Sequence, residues 1–145
     1  MTYNTNIKQG AIMPNQTPTN FDYIKMDSKR THITTGCAGA ILQYFGCMGV
    51  TYNYRTGKNV YLDTLRRNGY AVRSRSSQIR KGSSVGVIRS KLVQIAAKEP
   101  MIEGFIVKVT DHVLLLDRNG QTIVDTDART RDRRKVLTVH ALWKK

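Results

Sequence analysis

With 145 residues the chain is of single-domain size and long enough to bury a core without disulfides or structural metal. Lys and Arg number 24 against 10 Asp and Glu, and the resulting net charge of +14 attracts polyanions through counterion release, making nucleic acid or an acidic protein candidate partners of a basic surface. The N-terminus lacks the charged, apolar and small-residue order of a secretory signal and no apolar run approaches the length of a bilayer crossing, which predicts a cytoplasmic protein with no membrane segment.

Residues 1–25 are rich in Asn, Thr, Gln and Pro without a clear period, and read as an extended or partly disordered arm ahead of a single domain over 26–145. From Thr34 the pattern becomes helical. Ala38, Ile41, Leu42 and Phe45 recur at helix spacing, Thr34 or Thr35 can cap the first turn and Gly46 can end it. A polar, turn-like stretch over 51–58 leads to a short helix capped by Asn59, with Tyr61, Leu62 and Leu65 inward and a stop at Asn68-Gly69. Tyr70 to Arg75 reads as a strand. Ser83 or Ser84 caps a third helix whose Val85, Ile88, Leu92 and Ile95 form one apolar face before Pro100. The last third is strand-like at Phe105–Val109, Val113–Leu116, Thr122–Val124 and Val136–Trp143. Helices first and strands afterwards predict an α+β domain, with the helices on one face of an antiparallel sheet.

Cys37 falls in the first turn of the first helix, where backbone N–H groups favour a thiolate. A thiolate nucleophile needs a base, and the base needs an orienting acid. His112 heads one predicted strand and Asp125 ends the next, with Asn119-Gly120, a strong hairpin signal, between them. A two-residue loop places His112 opposite Asp127 with Asp125 diagonal on the same face, and a four-residue loop places it opposite Asp125. An odd loop or a bulge sends Asp125 to the other face. The expected roles are Cys37 as nucleophile, His112 as general base and then acid, and Asp125 as orienter with Asp127 as the alternative. The Cys37 N–H is a natural oxyanion donor.

These residues resemble the papain-like cysteine peptidases, in particular the compact bacteriocin-processing type and small phage-encoded members. The likeness rests on Gly36-Cys37-Ala38-Gly39-Ala40 opening a helix, on Gly104 to Val109 followed by Asp111-His112-Val113-Leu114-Leu115-Leu116, and on Gly120 to Asp125-Thr126, within residues 31–143. It implies a papain-like fold, a Cys37-His112-Asp125 triad, a protein or peptide substrate and hydrolysis through a thioester without cofactor. For a phage-encoded member the compartment is the host cytoplasm or the virion. The family carries a glutamine shortly before the cysteine as a second oxyanion donor. Here those positions are Lys29, Arg30, Thr31 and His32, so the stand-ins are Thr31, His32 or, from the arm, Gln16.

Two other functions fit the residues. The same thioester resolved by an amine gives a transglutaminase-like acyl transferase. A basic binding protein, phage-encoded and directed at nucleic acid or a host protein on a scaffold with little catalysis, fits the charge, with Arg129, Arg131, Arg133, Arg134 and Lys135 as one polyanion contact and the run from Arg66 to Lys81 as another. Neither group has the repeated aromatics that single-strand binders use, Tyr70 being the one ring within either. Cys47 reads as a core thiol and His140 as a structural or surface residue. Two cysteines and three histidines lie at none of the close metal-ligand spacings, so no metal is expected, and Gly82-Ser83-Ser84 reads as a helix cap, not a phosphate loop.

Overall fold

The computed structural model describes residues 32–33, 36–47, 49, 51–53, 55–126 and 132–145. The expected arm over 1–25 and the cap candidates Thr34 and Thr35 lie outside the described residues. Helix α1 spans Gly36–Tyr44. It ends in a Schellman motif: Gly46 takes φ +67°, the Cys47 N–H reaches the Leu42 carbonyl at 2.9 Å and the Gly46 N–H reaches that of Gln43 at 3.0 Å. Helix α2, Tyr61–Arg67, starts after Val60 with no side-chain cap. Asn59, expected as that cap, belongs to a strand instead. In the stretch that reads as turn in the sequence, β2 (Tyr52–Asn53) and β3 (Lys58–Asn59) form a small antiparallel sheet with β1 (His32–Ile33), which precedes α1.

Helix α3, Val85–Lys98, begins as its sequence predicts, with Ser84 Oγ accepting the Val87 N–H at 3.3 Å. Its far end is held from another element. The Arg118 guanidinium donates to the carbonyls of Ala96 (2.9 Å), Pro100 (3.0 Å) and Ile102, which ties the last turn of α3 and the entry to β5 to one loop.

The main sheet has five antiparallel strands in the order β4-β8-β5-β6-β7: β4 is Tyr70–Ser74, β5 Gly104–Val109, β6 His112–Asp117, β7 Thr122–Val124 and β8 Thr138–Lys144. The α+β class is as expected, but the placement of the helices differs. Ala40, Ile41, Leu42 and Leu65 of α1 and α2 pack with Ile106, Leu115 and Leu142, whereas Ile88, Leu92 and Ile95 of α3 pack with Phe105, Val107 and Leu114. Helices therefore cover both faces of the sheet, not one. The cause is visible in β6, where Val113, Leu114, Leu115 and Leu116 are all buried, because a continuous apolar run needs cover on both sides. Among the described residues no helix is long and apolar enough to cross a membrane.

Candidate active site

Gly36 opens α1 at φ +81°, a left-handed turn that glycine adopts without strain. The turn leads the chain into the helix at the next residue, Cys37. That side chain is half-buried and packs against the core that includes Tyr61 and Val113. The first-turn N–H groups of α1 have no partner within the helix and bias this end toward negative charge.

His112 enters from the β5–β6 hairpin. Val109 pairs with His112 across a two-residue turn, Thr110-Asp111, in which Asp111 takes φ +56°. The turn is tied down from outside, since Arg134 donates to the Thr110 carbonyl at 2.6 Å. The next hairpin brings the acid. Asp117 and Gln121 close a three-residue loop (Asp117 N–H to Gln121 O, 2.8 Å; Gly120 N–H to Asp117 O, 3.0 Å), a type I turn with Gly120 left-handed at φ +78°. Asp117 Oδ1 adds bonds from the N–H groups of Asn119 and Gln121, at 2.8 and 2.9 Å.

Such an odd loop alone would turn Asp125 to the wrong face. A β-bulge between Leu115 and Leu116 cancels it: Leu116 pairs with Thr122 but Leu115 pairs with Val124, so β7 carries one extra residue at Ile123. Beyond the bulge the register is that of a two-residue loop, with Asp125 diagonal to His112. The two side chains meet there, His112 Nε2 to Asp125 Oδ1 at 2.8 Å, with only 10% and 15% of their surfaces exposed.

Nε2 being taken, the other ring nitrogen is left for the thiol, to which His112 is hydrogen-bonded. Burial pushes the Cys37 thiol up, but the His112 hydrogen bond, the Val113 N–H, the imidazolium charge and the Ala38 N–H together outweigh it and hold the thiol below its ordinary value. His112 moves the other way, to about 9, through its hydrogen bonds to Asp125 and then Cys37, against the opposing effect of burial. The pair therefore favours thiolate beside imidazolium. Tyr61, at the start of α2, is pushed up to about 12 by burial and then by the Cys37 charge, so its hydroxyl stays protonated next to the sulfur.

The structure brings Cys37, His112 and Asp125 together. Asp127, Gln16, Thr31, Arg129 and Arg131 lie outside the described residues. His32 belongs to β1, paired with Asn53. Of the C-terminal basic group, Arg133 and Lys135 are exposed while Arg134 is spent on the Thr110 carbonyl. The earlier group is partly spent too, Arg75 on Glu99 at 2.6 and 3.1 Å and Arg66 on Asp63 and the Val72 carbonyl. Cys47 lies past the far end of α1, with no disulfide to Cys37. His140 is half-buried on β8, its pKa lowered by burial and then by Arg66. Sequence reasoning placed Tyr61 inward on its helix and Arg134 in a polyanion contact, and did not foresee their contacts here or that of the Val113 N–H; each reaches the site from another element, and no local pattern marks such a contact. Among the described residues no group of three His, Cys, Asp or Glu side chains is placed to hold a metal. Comparison with family models, with curated proteins and with solved structures returned no match.

Proposed function

We propose that the chain is a papain-like cysteine hydrolase acting on an amide, peptide or isopeptide carbonyl. The observation that carries this reading is the chain of contacts from the Cys37 thiol through the His112 ring to Asp125, closed by the 2.8 Å Nε2 to Oδ1 bond. The thiolate adds to the carbonyl carbon, and the oxygen takes up the negative charge facing the Cys37 N–H at the start of α1. His112, charged at neutral pH, gives its proton to the departing amine as the C–N bond breaks, leaving a thioester on Cys37 and a neutral ring. Water then attacks the thioester while the ring takes its proton. Collapse of that second adduct releases the acid and regenerates the thiolate beside the imidazolium. Asp125 keeps one ring nitrogen engaged through the cycle, so the ring stays aimed at the sulfur.

The test is site-resolved alkylation of the native protein. Iodoacetamide at neutral pH should label Cys37 well before Cys47, and Cys37→Ala should abolish both the fast label and any amidase activity found. Equal, slow labelling of the two cysteines would sink the proposal.

A further inference from the structure

Away from the thiol, on the side of the sheet covered by α3, two shallow hollows of about 230 and 320 Å³ flank the segment Ile79-Arg80. The first lies against the start of β8, including Val136 and Leu137, and the second against α3, including Val87 and Lys91. Two aliphatic side chains stand out from this surface, Val87 at 66% and Leu137 at 54% exposure. Around them Arg80, Lys81 and Lys91 are exposed, and among the described residues none has a carboxylate partner and no Asp or Glu lines either hollow.

We infer that this surface docks an acidic polypeptide segment bearing aliphatic side chains, the aliphatics seated on Val87 and Leu137 and the carboxylates on Arg80, Lys81 and Lys91. Charge complementarity selects that occupant. The chain's own first 31 residues carry Lys8, Lys25, Lys29 and Arg30 against Asp22 and Asp27, so they bring the wrong sign. Single-stranded nucleic acid satisfies the cations but not the rest of the surface: its bases are held by stacking on aromatic rings, and among the described residues neither hollow contains one. The hollow at β8 also opens at the end of the sheet that carries His112, two strands away, because Thr138 pairs with Lys108 and Val109 with His112. A segment held there lies on the molecule that bears the thiol without needing the thiol to bind.

Fluorescence anisotropy of the full chain tests this, with a short labelled peptide of glutamates interrupted by leucines. Controls are the same peptide with serine for leucine and an oligothymidylate of equal charge. The leucine-containing peptide should bind most tightly. Arg80→Glu with Lys91→Glu, and separately Val87→Asp with Leu137→Asp, should each weaken it by about tenfold or more, all four positions being accessible enough to substitute without opening the core. Cys37→Ala should bind unchanged, so loss of the hydrolase reading would leave the docking surface standing and the converse holds. Equal binding of the serine peptide or the oligothymidylate, or unchanged affinity in both double variants, would overturn the inference.

Discussion

A thiol held below its ordinary value beside an imidazole raised to about 9 shifts Cys37 and His112 toward the thiolate–imidazolium pair. In the proposed hydrolysis two ionisations then bound activity. Below the lowered thiol value the nucleophile is protonated. Above about 9 the ring loses the proton it must give to the leaving group, so hydrolysis should follow a bell whose alkaline limb lies near 9. Asp125 is the first cause of that high value. Asp125→Asn should therefore move the alkaline limb to lower pH, because the charged ring loses its carboxylate partner. His112→Ala removes the hydrogen bond and the charge that this ring sets against burial at Cys37, leaving only the Val113 and Ala38 N–H groups to oppose it, so the thiol rises. Its alkylation at pH 7 should fall about tenfold or more, on the basis that reactivity follows the thiolate fraction. Iodoacetamide rates measured against pH for the three proteins check both statements. A rate unaffected by His112→Ala would mean that the thiol is tuned by the Val113 and Ala38 N–H groups without the ring.

At the scale of elements, the β6–β7 hairpin decides whether the acid reaches the base, and its two irregularities matter only together. The loop is odd because Gly120 takes the left-handed position, and the bulge restores the face that the odd loop had lost. Asn119-Gly120 announces a hairpin in the sequence but not its length, since the loop is selected by what surrounds it. A Cβ at Gly120 would stand 2.7 Å from the Arg89 carbonyl of α3, and Arg89 in turn donates to the Gly120 carbonyl at 2.8 Å and Thr122 Oγ1 at 3.0 Å. Gly120→Ala should thus cost about 2 kcal/mol or more, combining left-handed strain with a clash against backbone that has little room to move. Denaturant unfolding measures the loss, and a fall in Cys37 alkylation larger than Asp125→Asn produces would show the register, not the acid alone, to have moved. The helix ends at Gly46 and Ser84 were readable because caps are local. The second covered face of the sheet was readable in principle from the unbroken Val113–Leu116 run. The two-residue strands β1 to β3 were not, because so short a strand forms only where a partner already lies.

Over the whole molecule the charge sets the conditions under which all of this holds. Ten carboxylates cannot neutralise 24 cationic side chains, and several are committed: Asp63 to Arg66, Glu99 to Arg75, Asp132 to Arg89 and Asp125 to His112. The remaining cations, Arg80, Lys81, Lys91, Arg133 and Lys135 among them, lie exposed and repel one another through water, a repulsion that salt screens over roughly 10 Å at 0.1 M. Raising salt from a few millimolar to physiological strength should therefore raise the thermal midpoint by a few degrees and then level off. The His112–Asp125 bond is buried and close, so the ratio of Cys37 to Cys47 alkylation should change far less over the same range. A thermal midpoint that falls with salt would mean that surface ion pairs outweigh the repulsion, and a labelling ratio that collapses with it would place the thiol in the screened surface field and not in the pair with His112.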